Sequence, residues 1–251
     1  MPRFSANLGF LWTDRPLAEA IYAAARAGFS AVECHFPYEQ PLTAVQKALR
    51  ETGLPMLGLN TIKGDTGGLA AQPDQIPEAR ASIAQAIEYG SAIGAQNIHV
   101  MAGIAEGNAA HATFLDNLRF ASDHAEVAGM GIVIEPLNAF DVPGYFLKNT
   151  SQAIDIIDSI SRENIRLMFD CYHVGRTEGD VIARFHACAP WIGHIQFAGV
   201  PDRGPPDQGA VDYRAVFTEI DASGWSLPLG AEYRVEGSTD ATLDWMQSLL
   251  N

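Results

Sequence analysis

The chain alternates eight times between short apolar runs and longer segments with helical spacing. Each apolar run fits a buried parallel strand, and the segments between them repeat their apolar residues with the period of an α-helix. The strand-like runs cover residues 5–12, 31–36, 55–61, 95–101, 131–138, 165–171, 192–198 and 227–233. The helical segments cover residues 16–27, 41–52, 77–93, 109–130, 151–159, 180–189, 212–223 and 239–250. This strict alternation predicts an α/β fold, a closed (β/α)8 barrel.

Length and composition fit one barrel domain better than two smaller domains. With 251 residues and 47% hydrophobic content, the chain can bury a large core. Its Pro- and Gly-containing stretches, at 64–73 and 200–209, are short and lie between periodic segments, so we interpret them as loops. We therefore predict a single domain over residues 1–251. The alternative, an open doubly wound sheet, would favour a glycine-rich nucleotide loop after the first strand, and LGFLW at 8–12 is not such a loop.

The charge balance argues against nucleic acid and membranes as partners. The chain has 16 Lys and Arg residues against 30 Asp and Glu residues, a formal net charge of -14, which would repel a phosphate backbone or an anionic membrane. No apolar stretch reaches the roughly 20 residues that a membrane span needs, and the first residues show no secretory signal pattern. We expect a soluble, cytoplasmic protein.

Four strand-like runs in the second half of the chain end in oxygen-bearing side chains. Glu135 closes GIVIE, Asp170 closes RLMFD, Gln196 closes GHIQ and Glu232 closes LGAE. In a barrel of parallel strands, such positions converge on one mouth. Three carboxylates and an amide favour Mg²⁺ or Mn²⁺ over zinc, which more often recruits His or Cys. One strand-end carboxylate could simply cap a helix or pair with an Arg, but four in register predict a metal site.

Two cationic residues and a histidine near these strand ends are candidates for substrate binding. Three carboxylates around a divalent ion leave a net negative charge, so an anionic substrate would need a cation close by. Arg203, in the loop after Gln196, is the first candidate, and Lys63, after the third strand, is a weaker one. His173 stands three residues past Asp170, where it can reach over the site to hydrogen-bond a substrate oxygen or a ligand carboxylate.

Three further residues are candidates for lining the pocket. Asn7 and Trp12 belong to the first strand-like run, and Tyr145 follows the fifth. Aromatic rings at these places could close over a small polar substrate and exclude water, although core packing is the commoner role of an aromatic side chain. The predicted pocket therefore includes these three residues together with Lys63.

Seven motifs spread along the chain are shared with one enzyme family. They are SANLGFLW at 5–12, IEPLN at 134–138, DVPGYFL at 141–147, MFDCYH at 168–173, GHIQ at 193–196, AGVPDR at 198–203 and GAEY at 230–233. Together they closely resemble the hydroxypyruvate isomerase family. More broadly, the chain is similar to the xylose-isomerase-like barrels, a superfamily that also holds ketose 3-epimerases, inosose dehydratases and endonuclease IV. The resemblance thus implies a xylose-isomerase-like (β/α)8 barrel.

The resemblance also implies roles for the four strand-end residues. Glu135 and Glu232 match the family's paired proton donor and acceptor, and with Asp170 and Gln196 they match its metal ligands. Ketose 3-epimerases usually carry His where this chain has Gln196, and endonuclease IV needs additional His ligands for a three-zinc cluster, which we do not find in the sequence. Gln196 therefore favours the isomerase branch. Relatives that act on 2-oxo-tetronates share nearly all these motifs, so the substrate within that branch stays open.

The reaction that the resemblance implies converts hydroxypyruvate to tartronate semialdehyde (2-hydroxy-3-oxopropanoate) through a metal-stabilised enediolate. We predict Mg²⁺ or Mn²⁺ as the cofactor, no organic cofactor, and a small anionic hydroxy-keto acid as the substrate. The alternatives on the same scaffold are a 2-oxo-tetronate isomerase and a ketose 3-epimerase. A barrel that binds a sugar acid or a metal without turnover is the alternative from a different class. A homo-oligomer is compatible with the exposed helices of such a barrel.

Overall fold

Eight short parallel strands form the inner wall of the protein. The computed structural model describes residues 2–249. Within that range the strands are β1 (Phe4–Asn7), β2 (Ala31–Glu33), β3 (Gly58–Asn60), β4 (Asn97–His99), β5 (Gly131–Ile134), β6 (Ile165–Asp170), β7 (Ile192–Phe197) and β8 (Leu229–Ala231). They pair in the order β2-β1-β8-β7-β6-β5-β4-β3. Strands consecutive in sequence are therefore paired except β2 and β3, and β1 is paired with β8.

The barrel is completed between β2 and the chain that leads into β3. Val32 and Met56 form a parallel bridge there. The N–H of Val32 donates to the Pro55 carbonyl at 3.0 Å, and the N–H of Leu57 donates to the Val32 carbonyl at 2.8 Å. Eight parallel strands in a nearly closed ring, with helices between them, confirm the predicted (β/α)8 barrel.

Helices connect the end of each strand to the start of the next and cover the outside of the barrel. They are α1 (Leu17–Arg26), α2 (Leu42–Thr52), α3 (Ile76–Ile93), α4 (Gly107–Val127), α5 (Thr150–Ile160), α6 (Cys171–Thr177), α7 (Val181–Cys188), α8 (Tyr213–Ala222) and α9 (Trp245–Ser248). Gly53 and Gly94 follow α2 and α3 with φ values of 70° and 69°, a left-handed conformation that glycine adopts without a Cβ clash. Over residues 2–249, no helix is both long and apolar enough to cross a bilayer.

An aromatic cluster holds the last helix against the barrel. The ring of Trp245, in α9, lies 4.9 Å from that of Phe4 in β1 and 5.4 Å from that of Phe197 in β7. Phe217, in α8, joins the same group at 4.9 Å from Phe197. These edge-to-face contacts bury large apolar rings where β1 meets β8, and each contributes about 0.5–1.5 kcal/mol beyond the area that it buries.

The structure differs from the sequence prediction at two helices. Helix α6 was not predicted, because it is one short helix that begins directly after β6. Asp170 ends that strand and also caps the helix, since its side chain accepts a hydrogen bond from the N–H of Tyr172. The helix predicted over 239–250 is divided into a 3₁₀ turn, Thr239–Thr242, and the four-residue α9. Residue 250 lies outside the described residues.

Strand register brings the predicted site residues to one level. Asp170 in β6 is paired with Gln196 in β7, and Gln196 is paired with Gly230 in β8. The N–H of Glu232, just beyond β8, donates to the carbonyl of Phe197 at 3.0 Å. The side chains that end β6, β7 and β8 therefore lie at the same height of the barrel, at its carboxyl-terminal mouth.

Candidate active site

The four strand-end residues predicted from the sequence are all buried at this mouth. The exposed fraction is 5% for Glu135 and Glu232 and 2% for Asp170 and Gln196. Three of them carry an oxygen that has no hydrogen-bond partner among the described residues: Glu135 Oε1, Asp170 Oδ2 and Gln196 Oε1. A buried acceptor without a donor is destabilising, so three of them in one place indicate a site for a cation or for a polar substrate.

Burial raises the pKa of two of these carboxyl groups. For Glu135, burial and then the charges of Glu232 and Asp170 raise the pKa well above its ordinary value. For Asp170, burial is again the largest cause; the charge of Arg203 opposes it, and the resulting pKa is about 7. Without a bound cation, burial therefore favours the protonated form of Glu135, and Asp170 is about half ionised at neutral pH.

Glu232 has the opposite electrostatic environment. Its Oε1 accepts a hydrogen bond from Asn7 Nδ2 at 2.8 Å and lies 2.9 Å from His35 Nε2, and its Oε2 accepts one from the guanidinium of Arg203. Burial acts to raise the pKa of Glu232, but the charge of Arg203 and the hydrogen bond from His35 outweigh it and lower the pKa to about 2. The surroundings of the two glutamates thus shift their pKa values in opposite directions.

Arg203 is a buried cation held over the acidic cluster. Its backbone is left-handed, with φ 58°, which turns the side chain back toward the mouth. The guanidinium lies 4.7 Å from the centre of the Phe10 ring and 5.0 Å from that of Tyr172, so aromatic faces flank it. It also lies 3.8 Å from carboxylate oxygens of Asp141 and Asp170. A cation placed in this way can neutralise the cluster and can also face an anionic substrate.

The hydrogen bonds of His173 determine its tautomer. Its Nδ1 accepts the backbone N–H of Asn138 at 2.9 Å, and burial lowers its pKa to about 3, so the ring is neutral and its proton lies on Nε2. That Nε2 is buried without a partner, 3.8 Å from Glu135 Oε1 and 3.7 Å from Asp170 Oδ2. His173 therefore presents a hydrogen-bond donor to the site, as expected for a residue that contacts a substrate oxygen.

The oxygen atoms that the site offers fit a hard divalent cation. Atoms of Glu135, Asp170 and His173 lie within 4.8 Å of one another. The tautomer of His173 makes it a donor rather than a ligand, which leaves the unpartnered oxygens of Glu135, Asp170 and Gln196 as the groups that could coordinate an ion. Oxygen ligands of this kind suit Mg²⁺ or Mn²⁺. Glu232, the fourth predicted ligand, faces Arg203 in this structure, and its role as a ligand stays a prediction.

Comparison with known proteins identifies the family. The model of the xylose isomerase-like TIM barrel family matches residues 21–249. The chain belongs to the xylose isomerase-like TIM barrel family. It is 39% identical to a 2-oxo-tetronate isomerase from Cupriavidus necator, over 100% of this chain and 99% of that protein. It is 34% identical to the hydroxypyruvate isomerase of Escherichia coli, over 98% of each. These relatives confirm the predicted resemblance and the prediction that the protein is an isomerase-type enzyme.

Two solved structures share the whole architecture of the chain. A protein from Brucella melitensis described as an AP endonuclease of family 2 superposes with a TM-score of 0.94 at 32% identity, covering 99% of both chains. A 3-keto-D-glucoside 4-epimerase from E. coli superposes with a TM-score of 0.83 at 21% identity, covering 100% of this chain and 99% of that chain. At that lower identity the likeness concerns the fold alone.

Two of the predicted pocket residues lie beside the site of this xylose isomerase-like barrel. Asn7 ends β1 and donates directly to Glu232. Tyr145 is 2% exposed, and its hydroxyl accepts the N–H of Ala102 at 2.9 Å, so it ties the loop after β4 to the loop after β5. Burial is the largest cause that raises the pKa of Tyr145, and the charge of Glu135 raises it as well, so the hydroxyl lies close enough to feel that carboxyl group.

The structure does not bring Trp12 and Lys63, the other two predicted pocket residues, to the acidic cluster. The backbone of Trp12 is left-handed, with φ 51°, and its indole packs against Phe29 and donates to Asp240 at 3.0 Å. Trp12 therefore anchors the first loop to the C-terminal segment, where core packing is its role. Lys63 is exposed in the loop after β3. Participation of either residue in the pocket stays a prediction.

Four buried or half-buried residues of the site were not predicted as functional. Glu33 ends β2 and His99 ends β4, while His35 follows β2 and His194 lies within β7. Glu33 accepts from His194, and His99 Nδ1 lies 3.7 Å from Glu135. The four predicted residues were selected as polar side chains at the ends of strands in the second half of the chain. The same selection in the first four strands would have found Glu33 and His99.

Proposed function

We propose that this enzyme moves the carbonyl group of a short 2-oxo-3-hydroxy acid from C2 to C3, with hydroxypyruvate and tartronate semialdehyde as the reacting pair. One observation carries the proposal: two buried glutamates, Glu135 and Glu232, stand on either side of β6 and β7, whose ends carry buried oxygens that lack donors. Such a site can hold the two neighbouring oxygens of the substrate and keep a carboxyl group near each carbon that exchanges a proton.

The isomerisation needs two proton transfers at carbon. A proton leaves C3 to give an enediolate, another arrives at C2, and the hydroxyl hydrogen passes from the C3 oxygen to the C2 oxygen. One glutamate accepts the first proton and the other donates the second, and each transfer contributes about 10²–10⁴-fold to the rate. Mg²⁺ or Mn²⁺, when bound, would supply the Lewis acidity that stabilises the developing oxyanion.

The charge states of the two glutamates support this exchange. Burial shifts Glu135 toward its protonated form by raising its pKa, while Glu232 is ionised because Arg203 and His35 lower its pKa to about 2. A pair of carboxyl groups whose surroundings push their pKa values apart can provide one acid and one base at the same pH. Glu135 is thus the group suited to donate a proton, and Glu232 is the group suited to accept one.

Arg203 and His173 are proposed to hold the substrate. The Nε2–H of His173 points into the cluster without an acceptor, so it is available to a substrate oxygen. The guanidinium of Arg203 has one side chain nitrogen on Glu232 and another near Asp141, at 3.8 Å. A substrate carboxylate that binds Arg203 would draw it partly from Glu232 and so raise the basicity of that carboxylate.

A 2-oxo-tetronate is the second candidate substrate. Three relatives with that isomerase name are 39%, 38% and 32% identical to this chain, compared with 34% for the E. coli hydroxypyruvate isomerase. The same carbonyl shift from C2 to C3 is available to this four-carbon acid, which differs from hydroxypyruvate by a hydroxymethyl group on C3. Both substrates therefore need the same cation site and the same two proton transfers.

A substrate panel with and without EDTA tests the proposal. Hydroxypyruvate, 2-oxo-tetronate and a ketose are assayed in D₂O with Mg²⁺ or Mn²⁺, and an abasic-site DNA duplex covers the activity named for the Brucella protein. We expect isomerisation of one or both 2-oxo acids, deuterium incorporation at C2 or C3, and loss of turnover with EDTA. A net charge of -14 disfavours the DNA substrate. Absence of product and of deuterium exchange with every acid would leave the non-catalytic binding barrel as the better description.

A further inference from the structure

Glu33 is a buried carboxylate that reaches across the inside of the barrel. It ends β2, is 3% exposed, and its Oε2 accepts from two residues of β7, from His194 Nε2 at 2.8 Å and from Gln196 Nε2 at 2.9 Å. The backbone of β8 leaves room for it, because a Cβ on Gly230 would lie 2.2 Å from Glu33 Oε1. The lumen at this level is therefore shaped around the Glu33 carboxylate.

The acceptors around Gln196 determine which way its amide is turned. Its Nε2 donates to Glu33 Oε2 and lies 3.4 Å from Glu232 Oε1, so two carboxylates face the NH₂ group. The reversed amide would place its oxygen against the same two carboxylate oxygens, which is repulsive. This orientation leaves Gln196 Oε1 buried and without a hydrogen-bond donor. An amide oxygen in that state is available to coordinate a cation.

We propose that Glu33 is a positioning residue that holds the Gln196 amide with its nitrogen toward Glu33, so that its oxygen stays available to the metal ion. This inference rests on the proposed function, because it assumes that the site binds Mg²⁺ or Mn²⁺ through Gln196. It extends the site to β2, whose last residue is Glu33. Glu33 would thus fix the direction of the neutral Gln196 amide, so that its oxygen and not its nitrogen faces the ion.

A double-mutant cycle with Mn²⁺ affinity as the readout tests the proposal. Glu33→Leu removes the acceptor, and we expect about tenfold weaker Mn²⁺ binding, the size of one hydrogen bond of about 1.4 kcal/mol. Glu33→Gln retains an oxygen acceptor at this position and should stay within about threefold of the wild-type affinity. Gln196→Glu replaces the amide by a carboxylate with two equivalent oxygens, which needs no orientation. In that background Glu33→Leu should not weaken Mn²⁺ binding.

The outcomes separate a positioning role from a structural one. Equal weakening by Glu33→Leu in both backgrounds, or no weakening when Gln196 is present, would overturn the role of Glu33. A wild-type protein that binds no Mn²⁺ in a calorimetric titration would instead overturn the cation site of the proposed function. Circular dichroism and thermal unfolding check that each variant is folded. If Glu33→Leu does not fold, the double variant Glu33→Leu/His194→Leu replaces it in the cycle, because that variant removes both members of the buried pair.

Discussion

Asp170 is expected to destabilise the metal-free protein, and replacing it should reveal by how much. Burial raises its pKa from 3.8 to about 7. A carboxyl group with a raised pKa in the folded state stabilises that state below pH 4, and the contribution is lost as the pH rises through 7. At 1.36 kcal/mol per pKa unit, this difference corresponds to up to about 4 kcal/mol between pH 4 and pH 8.

Asp170→Asn isolates this contribution. The amide keeps an oxygen that can accept the N–H of Tyr172, which now donates to Asp170 Oδ1 at 2.8 Å, so the cap of α6 survives. Groups that do not interact with Asp170 are common to both proteins and cancel in the difference. The pKa of Glu135, which the charge of Asp170 raises, should fall in the variant and should stabilise it in the same direction. We expect the variant to be more stable than the wild type at pH 8 in EDTA, by up to about 4 kcal/mol, with the gap growing from pH 4 to pH 7.

Urea unfolding at several pH values, in EDTA and again with Mn²⁺, measures the gap. At a hundredfold excess of Mn²⁺ over its Kd, the wild type should gain about 2.7 kcal/mol, and the variant, which lacks one predicted ligand, should gain less. The gap should therefore narrow when the ion is added. A variant that is less stable than the wild type at pH 8 in EDTA, or a gap that is the same at pH 5 and pH 8, would refute the reasoning.

Three further predictions concern activity and metal binding. Glu135→Gln and Glu232→Gln should each lower kcat by at least about a hundredfold while the fold survives, and near-normal turnover of either would exclude the two-glutamate scheme. Gly9→Ala places a Cβ 2.2 Å from Nδ1 of His35, so the His35 ring should move away from Glu232. We expect kcat to fall about tenfold with little change in Tm. Full activity would show that His35 is dispensable. Mn²⁺ affinity, measured by calorimetry, should rise between pH 6 and pH 8 as Asp170, with a pKa of about 7, ionises, and a flat profile would contradict this.

Periodicity was sufficient to predict the barrel, because buried strands and amphipathic helices differ in their apolar spacing. Seven of the eight predicted strand runs contain a whole strand of the structure, and the run over 5–12 overlaps β1, which begins at Phe4. Helix α6 escaped because Asp170 belongs to two elements at once, ending β6 and capping the helix. Polar residues at the strand ends located the mouth, because the alternation of side chains along a strand determines which of them face the lumen.

Contacts between distant strands could not be predicted from local patterns. Glu33 meets His194 and Gln196 across 161 and 163 residues of chain, and neither partner carries a signal for the other in its own segment. The direction of Trp12 and of Arg203 depends on left-handed backbone at both residues, which non-glycine residues adopt only in particular turns. Sequence spacing placed both residues near the mouth, and the turn geometry sent one toward the C-terminal segment and the other into the site.

The charge balance of the buried site favours the binding of a cation. Four carboxyl groups, those of Glu33, Glu135, Asp170 and Glu232, are each at most 5% exposed. Arg203 is the buried guanidinium among them, and the carboxylate of Glu33 raises the pKa of His194 against the effect of burial. The buried carboxyl groups outnumber the cationic side chains around them, so a divalent ion would reduce the excess of negative charge. Without the ion, protons take its place, since the pKa of Glu135 and that of Asp170 are both raised.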